Sequence, residues 1–397
     1  MKKTLSMLLA GAMLAATLAG CGNDGGAKDP GAEGGGADSG NTASGAAFKI
    51  GGTGPLTGGN AIYGNAAKTG AEIAVKEINA AGGDIQFELN YQDDESDAEK
   101  AENAYNQLKD WGLQLSLGAV TSKPGEATST LHFEDRIFAL TPSASAPAVT
   151  QGKDNVFQMC FIDPAQGELA ARSIAEKKLG TKIAVIYKND DVYSTGIYET
   201  FKAKAAELGL DVVSETTFTE SSKTDFSVQI QDAQSKGADL LFLPMYYDAA
   251  SLILQQCNTA GYKPTFFGVD GMDGILTLEG FDTSLAEGVM LLTPFNANSD
   301  DERVKSFVEQ YQAAAGELPN QFAADGYDCV YAYKQALEAA KATPDMPASE
   351  LCDLMIEQFT TMTFDGLTGT GATWSAEGAV SKDPIVVVIK DGAYVTM

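Results

Sequence analysis

Two short apolar runs in the first half of the chain, 117–120 and 137–140, are each followed by small hydroxyl residues, and a helical stretch separates them. Ser122 opens that stretch, and Ser143 and Ser145 follow the second run. In open sheets of parallel strands, ligands bind at the carboxyl ends of the strands. Serine hydroxyls and the free N–H groups at a helix start suit an anion, although the same residues also serve as ordinary helix caps. The two loops together therefore predict a ligand site at one sheet edge.

Strand-like and helix-like segments alternate along the rest of the chain. Apolar residues at helical spacing fill 65–81 after a first short strand. The second half repeats the pattern from the apolar run 182–187 onward, and 385–395 is typical of a hairpin around an Asp-Gly turn. Such alternation favours parallel, doubly wound sheets. Since 397 residues are enough for two domains, the sequence predicts an α/β fold with two Rossmann-like lobes.

Charge and composition exclude several classes of function. The formal net charge is −27, and no basic stripe exists to meet the phosphates of a nucleic acid. His132 is the single histidine, so a histidine triad or a multi-histidine metal site is excluded. After the first cysteine, the remaining four fit no zinc or CxxC spacing, and their pairing cannot be deduced from the sequence. We expect these four to be buried free thiols: Cys160, Cys257, Cys329 and Cys352.

Two motifs resemble cofactor or metal sites without completing them. Residues 52–57 nearly match the dinucleotide fingerprint, but Thr57 replaces the third glycine and no acidic strand end follows about 20 residues later. The acidic cluster 93–97 lacks the glycine and the spaced glutamate of a calcium loop, and a strand end followed by a helix cap explains it better. We therefore expect neither a cofactor nor a metal ion.

The N-terminal residues have the features of a targeting segment. Residues 1–20 combine a basic start with an apolar stretch that is too short for a membrane span. The stretch ends in Leu-Ala-Gly before Cys21, which resembles the lipobox at which a bacterial lipoprotein signal is cleaved and the cysteine is lipidated. An ordinary secretory signal is the alternative. Residues 21–46 are rich in glycine, alanine and serine, which predicts a disordered tether behind the anchor.

Several motifs, taken in order, resemble the leucine/isoleucine/valine-type solute-binding proteins of ABC transporters. They are GPLTG at 54–58, YG at 63–64, AEIAVKEINAAGG at 71–83, VTS at 120–122, TPSAS at 141–145, KIAVIYKNDDVYSTG at 182–196 and FFGVDG at 266–271. The resemblance implies the type I periplasmic binding protein fold, in which a hinge of three chain crossings joins the lobes. We expect the N-terminal lobe at 47–163 and 293–371, and the C-terminal lobe at 164–292 and 372–397.

The same resemblance implies roles for residues around the cleft between the lobes. A ligand carboxylate would meet the Ser122 hydroxyl and the Ser145 N–H. A ligand ammonium would meet the Ser143 carbonyl, the Ser145 hydroxyl and the Asp270 carboxylate. Many relatives have glutamate at this last position, so the shorter aspartate leaves more room. The other expected contacts shape the side-chain space, with Tyr247 as the register alternative to Tyr246: Leu56, Tyr63, Tyr193, Tyr246 and Phe322.

These roles imply an extracytoplasmic, lipid-anchored binding protein that captures a branched-chain or otherwise apolar amino acid. It would deliver this ligand to the membrane permease of an ABC transporter and would act as a monomer. The lobes would close around the ligand without catalysing a reaction. Another interpretation keeps the fold but assigns a small amide, a urea or an aromatic compound as the ligand, and a third makes the chain a sensor domain. A secreted hydrolase is disfavoured, because one histidine and no GxSxG motif supply no catalytic set.

Overall fold

The computed structural model describes residues 46–397, which form two β-sheets. The first sheet has the strand order β2-β1-β3-β4-β5, with β1 Phe48–Gly54, β2 Phe87–Asp93, β3 Leu115–Ala119, β4 Phe138–Thr141 and β5 Val156–Gln158. The second sheet has the order β12-β11-β10-β9-β8-β6-β7, with β6 Ile183–Lys188, β7 Val212–Phe218, β8 Leu240–Leu243, β9 Thr265–Gly268, β10 Met290–Thr293, β11 Ile385–Lys390 and β12 Ala393–Thr396. The first sheet defines the N-terminal lobe and the second the C-terminal lobe, which confirms the predicted α/β fold.

Eleven α-helices connect the strands within the described residues. They are α1 Ala61–Ala81, α2 Ala98–Trp111, α3 Ser122–Asp135, α4 Pro147–Thr150, α5 Asp163–Lys177, α6 Val192–Leu208, α7 Ser227–Ser235, α8 Tyr247–Thr259, α9 Glu302–Ala315, α10 Gln321–Ala340 and α11 Ala348–Phe359. Local chemistry fixes their ends: the Asp97 side chain accepts the Lys100 N–H at the start of α2, and Gly112 ends it with a φ of 96°. None of these helices is long and apolar enough to cross a membrane.

In the N-terminal lobe, helices α1 and α10 pack against each other at two glycines. A Cβ atom added at Gly70 would lie 1.9 Å from the Ala323 carbonyl oxygen, and one at Gly326 would lie 2.3 Å from the Ala67 carbonyl oxygen. Only glycine permits this approach of the two backbones. The contact therefore fixes the first turn of α10, which begins at Gln321, relative to the sheet edge.

In the C-terminal lobe, a hairpin extends the parallel strands. Strands β7, β6, β8, β9 and β10 run parallel, whereas β11 pairs antiparallel with β10 and with β12. The turn between β11 and β12 contains Asp391 and Gly392, with φ angles of 52° and 73°. Both residues have the positive φ that a tight hairpin turn requires, so the Asp-Gly dipeptide predicted this element correctly.

The chain passes between the lobes three times. The first passage lies between β5 and α5, at 159–162, and the second between β10 and α9, at 294–301. The third lies after Trp374, whose indole N–H donates to the Gln158 carbonyl at 2.8 Å and whose ring packs in the core of the N-terminal lobe. The chain enters β11 of the other sheet only at 385.

The third passage lies later than the sequence indicates. We expected the C-terminal lobe to resume at 372, but 372–380 still packs on the first sheet. The Gln158 N–H donates to the Gly378 carbonyl at 2.9 Å, and Trp374 forms an isolated bridge with Val380. This segment has no strand-like or helix-like pattern, so only its tertiary contacts assign it to a lobe.

The cysteines of the described residues are all free and buried, as expected from their spacing: Cys160, Cys257, Cys329 and Cys352. Burial raises the pKa of Cys352 to about 11 and that of Cys257 to about 12. The thiolate is the reactive form of cysteine, so these two thiols are protonated and unreactive at neutral pH. They contribute as small apolar side chains in the cores.

Candidate ligand-binding site

A narrow cavity of about 10 Å³ lies between the lobes, at the carboxyl ends of strands from both sheets. Residues of both lobes line it: Tyr63, Val120, Thr121, Ser143, Tyr193, Tyr246, Asp270, Gly271 and Phe322. Six of these were expected from the sequence, while Leu56, Ser122 and Ser145 are not among them. Pockets for small ligands typically measure roughly 300–1,000 Å³. The cavity between the lobes is far smaller, so binding of a ligand requires a rearrangement of the wall.

The two expected serines bond to each other beside the cavity. The Ser122 hydroxyl oxygen accepts hydrogen bonds from the Ser145 N–H at 3.1 Å and from the Ala146 N–H at 3.2 Å. Both lone pairs of that oxygen are then used, so its own hydrogen is left to donate. The Ser143 hydroxyl donates to the Val120 carbonyl at 2.6 Å, which ties the two loops together. The Ser145 N–H already donates to Ser122 in this structure. It is therefore not free to donate to a ligand carboxylate, contrary to what the resemblance implied.

Asp270 brings a negative charge to the cavity wall. Its side chain is 3% exposed, and its Oδ1 accepts a hydrogen bond from the Tyr193 hydroxyl at 2.5 Å. No lysine or arginine of residues 46–397 forms an ion pair with it. Burial raises the pKa of Asp270 to about 6, while the bond from Tyr193 acts in the opposite direction. A buried carboxylate without a countercharge is unfavourable, so this position favours a ligand cation.

A second carboxylate, Asp163, was not expected as a site residue. It is fully buried at the start of α5, and neither of its oxygens has a hydrogen-bond partner among the described residues. Its N–H donates to the Ser145 carbonyl at 3.1 Å, which places Asp163 beside the loop that follows β4. Burial raises the pKa of Asp163 well above its usual value, the nearby Ser145 hydroxyl acts in the opposite direction, and the negative charge of Asp270 raises the pKa further. The Ser145 hydroxyl oxygen is likewise buried without a partner there.

Four aromatic side chains supply most of the apolar wall. The Tyr63 hydroxyl donates to the Gly271 carbonyl and accepts the Tyr247 N–H at 3.1 Å, so this residue of α1 reaches across to the C-terminal lobe. The ring centroids of Tyr63 and Phe322 lie 4.5 Å apart, and Tyr193 stacks on Tyr246 at 4.7 Å. These rings give the cavity the shape expected for an apolar ligand group.

Tyr246, rather than its register alternative, faces the cavity. The Tyr247 hydroxyl instead accepts the Ile62 N–H at 3.3 Å, outside the cavity wall. Burial raises the pKa of Tyr246 well above its usual value, and the Ser122 N–H acts in the opposite direction, which places the phenol oxygen near that amide.

The loop that carries Leu56, which does not line the cavity, is held by the acidic cluster. The Leu56 N–H donates to Asp93 Oδ1 at 2.8 Å, and the Thr57 hydroxyl donates to Asp93 Oδ2 at 2.6 Å. The Glu95 N–H also donates to Asp93 Oδ1, at 3.0 Å. The cluster at 93–97 thus organises the loop after β1, in agreement with its expected role at a strand end.

The arrangement of two sheets around one interlobe cavity agrees with comparisons to known proteins. A sequence model of the periplasmic binding protein family matches residues 47–393, which is most of the chain. The chain belongs to the periplasmic binding protein family. Proteins of this family are extracytoplasmic and bind solutes, and the present periplasmic binding protein shares that general role.

Characterised relatives resemble this periplasmic binding protein over most of its length. The leucine-, isoleucine-, valine-, threonine- and alanine-binding protein of Pseudomonas aeruginosa is 27% identical over 307 residues, covering 76% of this chain and 81% of that protein. Leu/Ile/Val-binding protein homolog 3 of Brucella melitensis is 29% identical over 308 residues, covering 76% of this chain and 82% of that protein.

Solved structures share the fold of this periplasmic binding protein. The leucine-binding protein LivK of Thermotoga maritima has a TM-score of 0.79 at 27% identity, covering 88% of this chain and 97% of the other. The branched-chain amino acid binding protein LivJ of Streptococcus pneumoniae, in complex with isoleucine, has a TM-score of 0.79 at 26% identity, covering 88% and 100%. A solute-binding protein of R. palustris in complex with benzoate reaches 0.79 at 20% identity, with coverage of 88% and 95%, which supports the fold alone.

Proposed function

We propose that this periplasmic binding protein captures an amino acid with a branched or otherwise apolar side chain between its lobes. The observation that carries the proposal is the buried Asp270 carboxylate, which faces the cavity and has no ion pair with any cationic side chain of residues 46–397. The ammonium of an amino acid supplies that missing charge. The names of the relatives, which bind leucine, isoleucine and valine, support the same ligand class.

The ligand carboxylate binds on the opposite side of the cavity from Asp270 in this proposal. The Ser122 hydroxyl donates to it, since the lone pairs of that hydroxyl are occupied by main-chain N–H groups. The Ser143 carbonyl, the Ser145 hydroxyl and Asp270 receive the ammonium, and Asp163 adds a second polar group behind them. The ligand side chain lies among the aromatic rings that line the cavity.

Capture without catalysis, followed by delivery to an ABC transporter permease, completes the proposed role. One carboxylate, one serine and three tyrosines are among the residues that line the cavity, and His132, the single histidine, is not among them to activate a nucleophile. Lipid attachment at Cys21 and the tether 21–46 would keep the binding domain near the membrane as a monomer. Cys21 and the tether up to residue 45 lie outside the described residues. A sensor role would use the same cavity with a signalling partner in place of the permease.

A thermal-shift and calorimetry screen tests the ligand class. We expect leucine, isoleucine and valine to raise the melting temperature, because a ligand that binds only the folded state stabilises it by about 2.7 kcal/mol at a hundred times Kd. The screen includes benzoate, acetamide and urea as representatives of the neutral and aromatic alternatives. Stabilisation by one of these, with none by the amino acids, would overturn the proposal.

A further inference from the structure

Among the contacts of the loop after β9 with the opposite lobe is one made by a buried side chain, Asp273. Its Oδ2 accepts a hydrogen bond from the main-chain N–H of Gln321 at 2.9 Å. Asp273 belongs to the C-terminal lobe, whereas Gln321 is the first residue of α10 in the N-terminal lobe. This hydrogen bond, which we name the interlobe cap, therefore spans the cleft.

The interlobe cap satisfies a donor that helix α10 cannot satisfy by itself. The first N–H groups of a helix have no partner within the helix, and the helix dipole makes this end positive. Asn320, from the same lobe, accepts the Ala323 N–H at 3.2 Å. The Asp273 carboxylate accepts the Gln321 N–H and places a negative charge at the same end. Helix α10 thus has two caps, one from each lobe, and separation of the lobes removes only one.

A short 3₁₀ turn, Asp270–Met272, links the interlobe cap to the ligand cavity. The Asp270 carbonyl accepts the Asp273 N–H at 2.9 Å and the Gln321 side-chain amide at 3.1 Å. The Asp270 carboxylate, at the start of the same turn, lines the cavity. On the other side of the cap, Phe322 follows Gln321 and also lines the cavity. The residues that touch the ligand space and those that close the lobes are therefore direct neighbours.

We propose that Asp273 is a positioning residue that holds the closed lobes around the ligand by capping α10 from the opposite lobe. Asp273 does not line the cavity, so it acts through Asp270 and Phe322 rather than on the ligand. Opening the cleft breaks the interlobe cap and exposes an uncapped N–H, so the cap slows release of the ligand. This inference rests on the proposed function only in using an amino acid as the probe of release.

The first test compares variants that remove one cap each from the same helix end. Asp273→Ala removes the cap that spans the cleft, and Asn320→Ala removes the cap within one lobe. With leucine as the probe in stopped-flow measurements, we expect Asp273→Ala to raise the dissociation rate by about tenfold or more, as for a hydrogen bond to a charged group. Asn320→Ala should lower the melting temperature and leave that rate within about threefold of wild type. Asp273→Asn, which keeps an acceptor oxygen and the shape, should give an intermediate rate.

Equal dissociation rates in Asp273→Ala and wild type, or equal increases in both alanine variants, would overturn the inference. A second measurement does not depend on the ligand class. Spin labels at Glu102→Cys and Asn258→Cys, two exposed positions in opposite lobes, report the interlobe distance in the full chain. We expect Asp273→Ala to reduce the closed population with and without leucine. If the wild type closes but does not bind leucine, the amino-acid proposal fails, whereas an unchanged closed population in Asp273→Ala refutes the interlobe cap.

Discussion

The Tyr193 hydroxyl donates a hydrogen bond to the Asp270 carboxylate at 2.5 Å and is itself fixed by the Gly271 N–H at 2.9 Å. Burial raises the pKa of Tyr193 well above its usual value, so the tyrosine stays neutral. The hydrogen bond orients the carboxylate without cancelling its charge. The buried Asp270 carboxylate therefore has no countercharge among residues 46–397, and a ligand ammonium would supply one.

The first prediction concerns that charge. Asp270→Asn keeps the shape and the acceptor for Tyr193, but leaves the buried ammonium of an amino acid without a countercharge. Breaking a buried ion pair costs roughly 3–5 kcal/mol, which corresponds to about a hundredfold to a few thousandfold in affinity. Titration calorimetry with leucine measures the loss.

A matched control separates this effect from a general loss of buried charge. Asp94 is also fully buried, and burial raises its pKa to about 6, but it lies outside the cavity lining. Its Oδ1 accepts the Ser96 N–H at 2.8 Å, a bond that asparagine can keep. Asp94→Asn should bind leucine within about threefold of wild type. Near wild-type affinity in Asp270→Asn would exclude a zwitterionic ligand.

The second prediction assigns a smaller role to Asp163. Two neighbouring carboxylates resist ionising together, and Asp163 has the less favourable surroundings, with neither oxygen hydrogen-bonded among the described residues. We expect it to remain protonated beside the ligand and to contribute a hydrogen bond rather than a charge. Asp163→Ala should therefore weaken leucine binding by about tenfold, whereas Asp163→Asn, which keeps a neutral hydrogen-bonding side chain, should lose less affinity than Asp270→Asn does. A larger loss than in Asp270→Asn, measured by the same calorimetry, would make Asp163 the ionised partner.

Much of the fold follows from patterns that act over short distances. The alternation of apolar strands with amphipathic helices predicted both sheets, and the Asp391-Gly392 turn predicted the terminal hairpin. The third passage between the lobes was misplaced for a physical reason. Trp374 belongs to the core of the N-terminal lobe through contacts with distant residues, and its own segment has no periodicity. Local sequence cannot express such a contact.

The binding site, like the fold, could be predicted from the sequence only in part. Serines at strand ends and an aspartate after β9 could be recognised, because the carboxyl edge of a parallel sheet collects them. The sequence suggested Asp163 only as the boundary between the lobes, since an aspartate before a proline at a helix start is a common first-turn residue. Its significance comes from complete burial without a hydrogen-bond partner, which only the tertiary structure reveals. Leu56 does not line the cavity in this structure, and its main-chain N–H donates to Asp93.

The third prediction tests the serine that joins the two loops. Ser122→Ala removes the acceptor of two main-chain N–H groups and the proposed donor to the ligand carboxylate. A hydrogen bond to a charged group contributes about 1.5–3 kcal/mol, so leucine affinity should fall by about tenfold to a hundredfold. Ser129→Ala removes a buried hydroxyl of the same helix, α3, that donates to the Glu126 carbonyl, and should leave affinity unchanged. Equal affinities in the two variants would remove Ser122 from the site.

The fourth prediction concerns the membrane anchor. Cys21 is expected to carry lipid, so Cys21→Ser should move the protein from the membrane fraction to the soluble fraction of expressing cells. Its leucine affinity should not change, because the binding domain begins beyond the tether. Labelling cells with a fatty-acid probe checks the modification directly. Absence of label on the wild-type protein would favour the ordinary secretory signal.

The last prediction follows from the pKa of Asp270, which burial raises to about 6 in the closed form. In an open cleft, the carboxylate is solvated and has an ordinary pKa of about 3.9. Between these values the closed form binds more protons than the open form, so closure of the ligand-free protein is favoured as pH falls from about 6 to about 4. A difference of about two pKa units corresponds to roughly 3 kcal/mol. The interlobe distance between spin labels should therefore shift toward the closed value at pH 4.5 relative to pH 7.5. Asp270→Asn should flatten this dependence, while buried Asp163 and Asp273 retain their own contributions. An equally steep dependence in Asp270→Asn would show that closure is not coupled to protonation of this carboxylate.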